Sequence, residues 1–201
     1  MIFLGVLMSL GLSSDGIGTL FEQITPKVAA ERISQCGLGE VSIRYEEVLQ
    51  AEVLTVAGAT SVSDEQLACA DKAASYYDLE LPPAVQPRYD SIRDARLSAY
   101  FLKEAQAWLT ERGLLERVPK YQAGVTDDEA FTPQVETLCG PRAKGAFQSQ
   151  YGFHAISPDW VQRNLAPFEE GAEVLACLMN VARVAGFDIG FIGNEAASNE
   201  D

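Results

Sequence analysis

The chain has 201 residues, 47% of them hydrophobic, which is enough to bury a full core and excludes overall disorder. Fifteen Lys and Arg stand against 29 Asp and Glu, and the formal net charge of −14 argues against DNA or RNA as a partner. The excess acid lies in residues 1–87 and 145–201, so only the balanced stretch 88–144 could gather a cationic face, and a mixed solvated face is its simpler reading.

Residues 2–12 form an almost unbroken apolar run followed by Ser13, Ser14, Asp15 and Gly16. Its length suits the apolar region of a signal peptide and is too short to cross a bilayer, so no integral membrane segment is expected. The first basic residue is Lys27, and a start assigned too far downstream would explain the missing positive n-region. Residues 1–14 are thus read as a truncated leader, which implies a periplasmic or secreted protein.

Thr25-Pro26 reads as an N-cap followed by Pro at the first helical position, giving a helix over residues 26–36 that Gly37 closes. Val41, Ile43 and Tyr45 alternate with polar residues, and a β-branched run over 53–57 follows, so two antiparallel strands are expected. The connection over 47–52 has no clean turn signal, and a helix over 46–54 is the alternative. Ser63-Asp64-Glu65-Gln66 is a capping box opening a helix that ends near Tyr77. Pro82, Pro83 and Pro87 then enforce an extended connector.

From Tyr89 onward there is no Pro or Gly until Gly113, and Ile92, Ala95, Ala99, Leu102 and Leu109 recur at helical spacing. A long amphipathic helix over about 88–112 follows, with Leu97, Phe101, Ala105 and Trp108 also on its apolar arc and Arg93, Arg96 and Lys103 on the other face. Thr126-Asp127-Asp128-Glu129 reads as a second capping box, starting a helix that bends at Pro133 and runs to Cys139. Ser157-Pro158 caps a short helix, and Glu169-Glu170 begin a last one ending at Gly186. Phe187, Ile189 and Phe191 alternate as a short strand expected to join those of Val41 and Val53, and residues 194–201 read as a disordered acidic tail.

The fold class expected is helix-rich α+β, a small two- or three-stranded antiparallel sheet packed on a helical bundle centred on the long helix. Residues 15–193 are taken as one globular domain, with subdomains over 15–80 and 88–193.

Four cysteines, none in a Cys-x-x-Cys pair, and a lone His give little from which to build a zinc site. Cys36-Gly37 and Cys139-Gly140 each end a helix, whereas Cys69 and Cys177 each lie within a later one. Pairing Cys36 with Cys69 and Cys139 with Cys177 ties each helix end to the next Cys-bearing helix, which the chain-entropy argument values at about 3–4 kcal/mol per bridge.

No nucleotide-binding, hydrolase-elbow, zincin or calcium-loop motif is present, so no catalytic residue, metal or cofactor is assigned. His154 is the only imidazole, and a Cys139–His154 hydrolase is conceivable only if Cys139 is a free thiol. Phe147, Gln150, Tyr151, His154 and Trp160 crowd together without periodicity and either plug the core or line a ligand groove, so they form the binding set if one exists. The function expected is that of an exported, disulfide-stapled binding or interaction protein. The alternatives are a hydrolase using His154 and a cytosolic acidic interaction domain with free thiols.

Overall fold

The computed structural model describes residues 22–58, 61–150, 153–165 and 168–190. The apolar run over 2–12, Tyr151 and the acidic tail lie outside them. No helix among the described residues is long and apolar enough to cross a membrane. The chain divides into two compact units, the first ending at Phe101 and the second beginning at Leu102.

The first unit opens with α1, Pro26–Ile33. Thr25 accepts a hydrogen bond from the Val28 amide at 3.3 Å, so the cap read from Thr-Pro is in place. A wider helical turn, Ser34–Leu38, follows and carries Gly37 at φ 81°, a left-handed conformation open to glycine at little cost. Strands β1 (Val41–Glu46) and β2 (Ala51–Val56) pair antiparallel without a break, from Val41 opposite Val56 to Glu46 opposite Ala51. The helical alternative for residues 46–54 is not adopted.

Helix α2 (Asp64–Ala74) carries the full capping box predicted for it. Gln66 does more than cap: its Oε1 accepts from the Ser63 amide, while its Nε2 donates to the carbonyls of Cys36 and Gly37, both at 3.3 Å. The two helices are also joined by the Cys36–Cys69 disulfide. Strand β3 (Asp78–Glu80) then pairs parallel with β2, completing a sheet of order β1-β2-β3. The third strand is therefore this short segment, which α2 separates from β2 as a parallel crossover requires, in place of the tail strand expected from sequence. Ala29, Ile33, Leu54, Val56, Leu67, Leu79 and Tyr89 fill the core of this unit.

Helix α3 (Gln86–Glu111) is the long helix. Gln86 fastens its start to β3, accepting from the Leu81 amide at 2.6 Å and donating to the Leu79 carbonyl at 3.3 Å. The apolar arc is narrower than its sequence suggests, since Ala95, Ala99 and Leu102 are exposed. Arg96, read from sequence as solvated, instead turns inward. Its Nε and Nη2 both donate to the carboxylate of Asp71, which is 2% exposed and so requires a countercharge.

In the second unit, α4 (Asp128–Cys139) begins one residue later than a Thr126 cap implies. Asp127 accepts from the Glu129 amide at 3.3 Å, because the Thr126 hydroxyl is already taken by the Gln122 amide at 2.9 Å. Strands β4 (Phe147–Gln150) and β5 (Phe153–Ile156) form an antiparallel pair. Helix α5 (Pro158–Asn164) is capped by Ser157, and α6 (Phe168–Ala185) closes the unit. The Cys139–Cys177 disulfide joins α4 to α6. Both disulfides thus follow the connectivity read from spacing, and among the described residues no cysteine is free.

Of the strand expected over Phe187, Ile189 and Phe191, the described part pairs with β5, and Phe191 lies outside the described residues. Phe187, 4% exposed, is drawn into an aromatic cluster with Tyr121 and Phe131, each ring about 5.0 Å away. Gly190 consequently bridges to Ala155 of β5, its amide donating to the His154 carbonyl at 2.8 Å.

Candidate functional site

The aromatic segment singled out in the sequence is held from α4. Glu136 accepts the amides of Gly145 (3.0 Å) and Phe147 (3.1 Å) with its two carboxylate oxygens, and so fixes the entry to the β4–β5 hairpin. Phe147 packs edge-on to Phe187 at 6.2 Å, and the His154 ring lies 5.7 Å from the same phenyl. Trp160 is fully buried and donates its indole N–H to the Arg142 carbonyl at 2.9 Å, an arrangement that completes a core rather than opens one. Gln150 pairs through its backbone with Phe153. The structure therefore brings Phe147 and His154 together around Phe187, and sets Trp160 among the core side chains of the same unit.

Polar chemistry here centres on Asp128. One carboxylate oxygen accepts the Tyr121 hydroxyl at 2.8 Å, and the other lies 3.8 Å from His154 Nε2. The bond to Asp128 raises the phenol pKa of Tyr121 above its ordinary value. Cys139, being disulfide-bonded, cannot serve as a thiolate nucleophile. Ser149 stands opposite His154 across the hairpin and is exposed, but no hydrogen bond joins them. Among the described residues no group of His, Cys, Asp and Glu is arranged to hold a metal ion.

The first unit presents a different surface. Four of the seven exposed large hydrophobic side chains among the described residues fall on one hairpin: Ile43 (40%), Tyr45 (62%), Val48 (89%) and Leu49 (57%). Ile43 and Tyr45 are two residues apart on β1 and so share a face, while Val48 and Leu49 occupy the turn over 47–50. That turn closes with a bond from the Gln50 amide to the Glu47 carbonyl at 3.3 Å and holds Gln50 at φ 50°, where glycine is the usual occupant. Scattered apolar residues at a surface need no explanation, but four within seven positions form a patch.

Acid adjoins the patch. Glu47 begins the turn and Glu52 stands opposite Tyr45, both exposed, while Arg44, on the other face of β1, bonds to Glu46 and, at 2.6 Å, to Glu80. Glu80 is held below the usual carboxylate range chiefly by that bond to Arg44. Elsewhere in the unit, an open depression over the Cys36–Cys69 disulfide is lined by Arg32, Gln35, Glu65 and Lys72, a mixed set with no convergent chemistry.

The strands of the hairpin are legible in the sequence, but its exposed apolar side chains are not. The signal was present in the missing turn: Val48 and Leu49 stand where a hairpin connection ordinarily carries Gly, Asn or Asp. The chain matches no family model, and it is similar to no curated protein and no solved structure.

Proposed function

We propose that the protein works in an oxidising compartment, periplasmic or extracellular, as an interaction protein that binds another macromolecule through the β1–β2 hairpin. The concentration of exposed apolar side chains on that hairpin carries the reading. Two intramolecular disulfides support the compartment, because such bonds persist where thiols are not kept reduced. The apolar run over 2–12 supports export as a leader.

The test is photo-crosslinking in the native host, with benzoylphenylalanine placed at Val48 or, as control, at Val125 of the second unit, which is also exposed. A defined adduct from position 48 that is absent from position 125 and lost in Ile43→Ser is expected. Equal adducts from both positions, or none from 48, would overturn the reading.

A second reading, a ligand-binding or hydrolytic site on the β4–β5 hairpin, rests on the approach of Asp128 to His154 at 3.8 Å. In it His154 is the general base, Asp128 its orienting partner and Ser149, opposed to His154 across the hairpin, the nucleophile. Hydrolysis of p-nitrophenyl acetate that disappears in both Ser149→Ala and His154→Ala would favour it. Activity unchanged in either variant removes it.

A further inference from the structure

Resting on the hairpin reading above, we propose that the occupant of this surface is an extended, basic segment of another protein that adds as a fourth strand to the edge of β1 that no described strand pairs. The sheet order β1-β2-β3 puts β1 at an edge. Edge strands are normally blunted by Pro, by Lys or by a bulge. β1 has neither Pro nor Lys, its two charged side chains Arg44 and Glu46 are paired with each other, and its pairing with β2 runs through six consecutive positions without a bulge. In an antiparallel ladder, alternate residues direct both N–H and C=O away from the partner strand, so β1 offers a row of groups to a new strand.

Side chains then select what can sit there. Ile43 and Tyr45 project from one face of β1 and would meet alternate apolar residues of the incoming strand. Val48 and Leu49 extend that contact past the strand end. Glu47 adjoins them in the turn and Glu52 faces Tyr45 across the ladder, whereas Arg44 is already committed to Glu46 and Glu80. Such an edge attracts cations and repels acid. A second copy of this chain would set the same carboxylates against each other and join two bodies of net charge −14. The complementary occupant is therefore a different protein, with apolar and basic residues alternating along an extended segment.

The experiment uses the full chain with its disulfides intact, observed by amide NMR during titration with the end-blocked peptide Lys-Ile-Lys-Val-Lys-Ile-Lys. Two analogues accompany it, one with every Lys replaced by Glu and one N-methylated at alternate residues to remove the donors that strand pairing needs. Saturable shifts confined to residues 41–49 are expected, about tenfold weaker for either analogue and weakening as salt screens the carboxylates. No saturable shift at millimolar peptide, equal binding of either analogue, or self-association through β1 without peptide overturns the proposal. Crosslinking from Val48 is a separate readout: a native partner captured there while the peptide fails removes strand addition but keeps the hairpin surface, and failure of both removes both.

Discussion

Ile43 and Leu54 face each other across the β1–β2 ladder, yet Leu54 is fully buried and Ile43 is 40% exposed. Directly opposed residues lie on the same face of a sheet, so one apolar face runs from the buried core outward to exposed positions. Tyr45, opposite Glu52, continues that face, and Val48 and Leu49 extend it into the turn.

The two positions accordingly differ in what they contribute to the fold. Leu54→Ala creates a core cavity and is expected to cost about 2–5 kcal/mol. Ile43→Thr keeps β-branching at a surface position and is expected to stay within about 0.5 kcal/mol. Urea unfolding of both variants checks the contrast. A comparable loss for Ile43→Thr would mean that the exposed row holds the fold together and is not reserved for a partner.

Arg96→Met is expected to destabilise by about 3–5 kcal/mol, since it leaves the Asp71 carboxylate, 2% exposed, without its countercharge. The double variant Asp71→Leu with Arg96→Met removes the stranded charge and should lose less than Arg96→Met alone. Denaturant midpoints of these two variants and of Asp71→Leu alone, set against the parent chain as a double-mutant cycle, measure the coupling.

Tyr89 gives the chain an alkaline limit. Its hydroxyl is buried and makes no well-formed hydrogen bond among the described residues, and burial pushes its pKa up to about 12, with the nearby Arg93 guanidinium opposing part of that shift. The folded state holds this proton more tightly than the unfolded state does. The stability involved is therefore fully present below the ordinary phenol value near 10 and is lost as pH rises toward about 12. Tyr89→Phe should reduce the loss of stability over that window and leave stability at pH 7 unchanged or raised by about 1 kcal/mol.

Helix positions were legible because their signals are local. Thr25-Pro26, Ser63 with Gln66, Ser157-Pro158 and Gly186 mark helix ends through neighbouring residues alone. The cysteine pairing was legible for a related reason, as each bridge joins a helix end to the next Cys-bearing helix. Strand β3 was not, because three residues with two acids form a strand only when α2 returns them to β2. Arg96 reads as solvated from sequence because its neighbours do not reveal the buried Asp71. The exposed face of Ile43 and Tyr45 was missed likewise: alternation predicts a strand with a covered side but not how far the cover extends.

Trp160 separates a packed aromatic segment from a ligand groove. Its burial and its bond to the Arg142 carbonyl predict that Trp160→Ala lowers stability by about 3–5 kcal/mol. Calorimetry of Trp160→Ala checks this, and a loss below about 1 kcal/mol would reopen the groove reading.

The central claim is that the β1–β2 hairpin is where a partner binds, and amide hydrogen exchange of the protein, free and bound to the partner captured from Val48, tests it most directly. Protection over residues 41–46 should rise by about tenfold or more on binding, with residues 153–156 of the other hairpin unchanged. Protection gained at 153–156 while 41–46 exchanges as in the free protein would contradict the account and move the binding surface to the hairpin of His154.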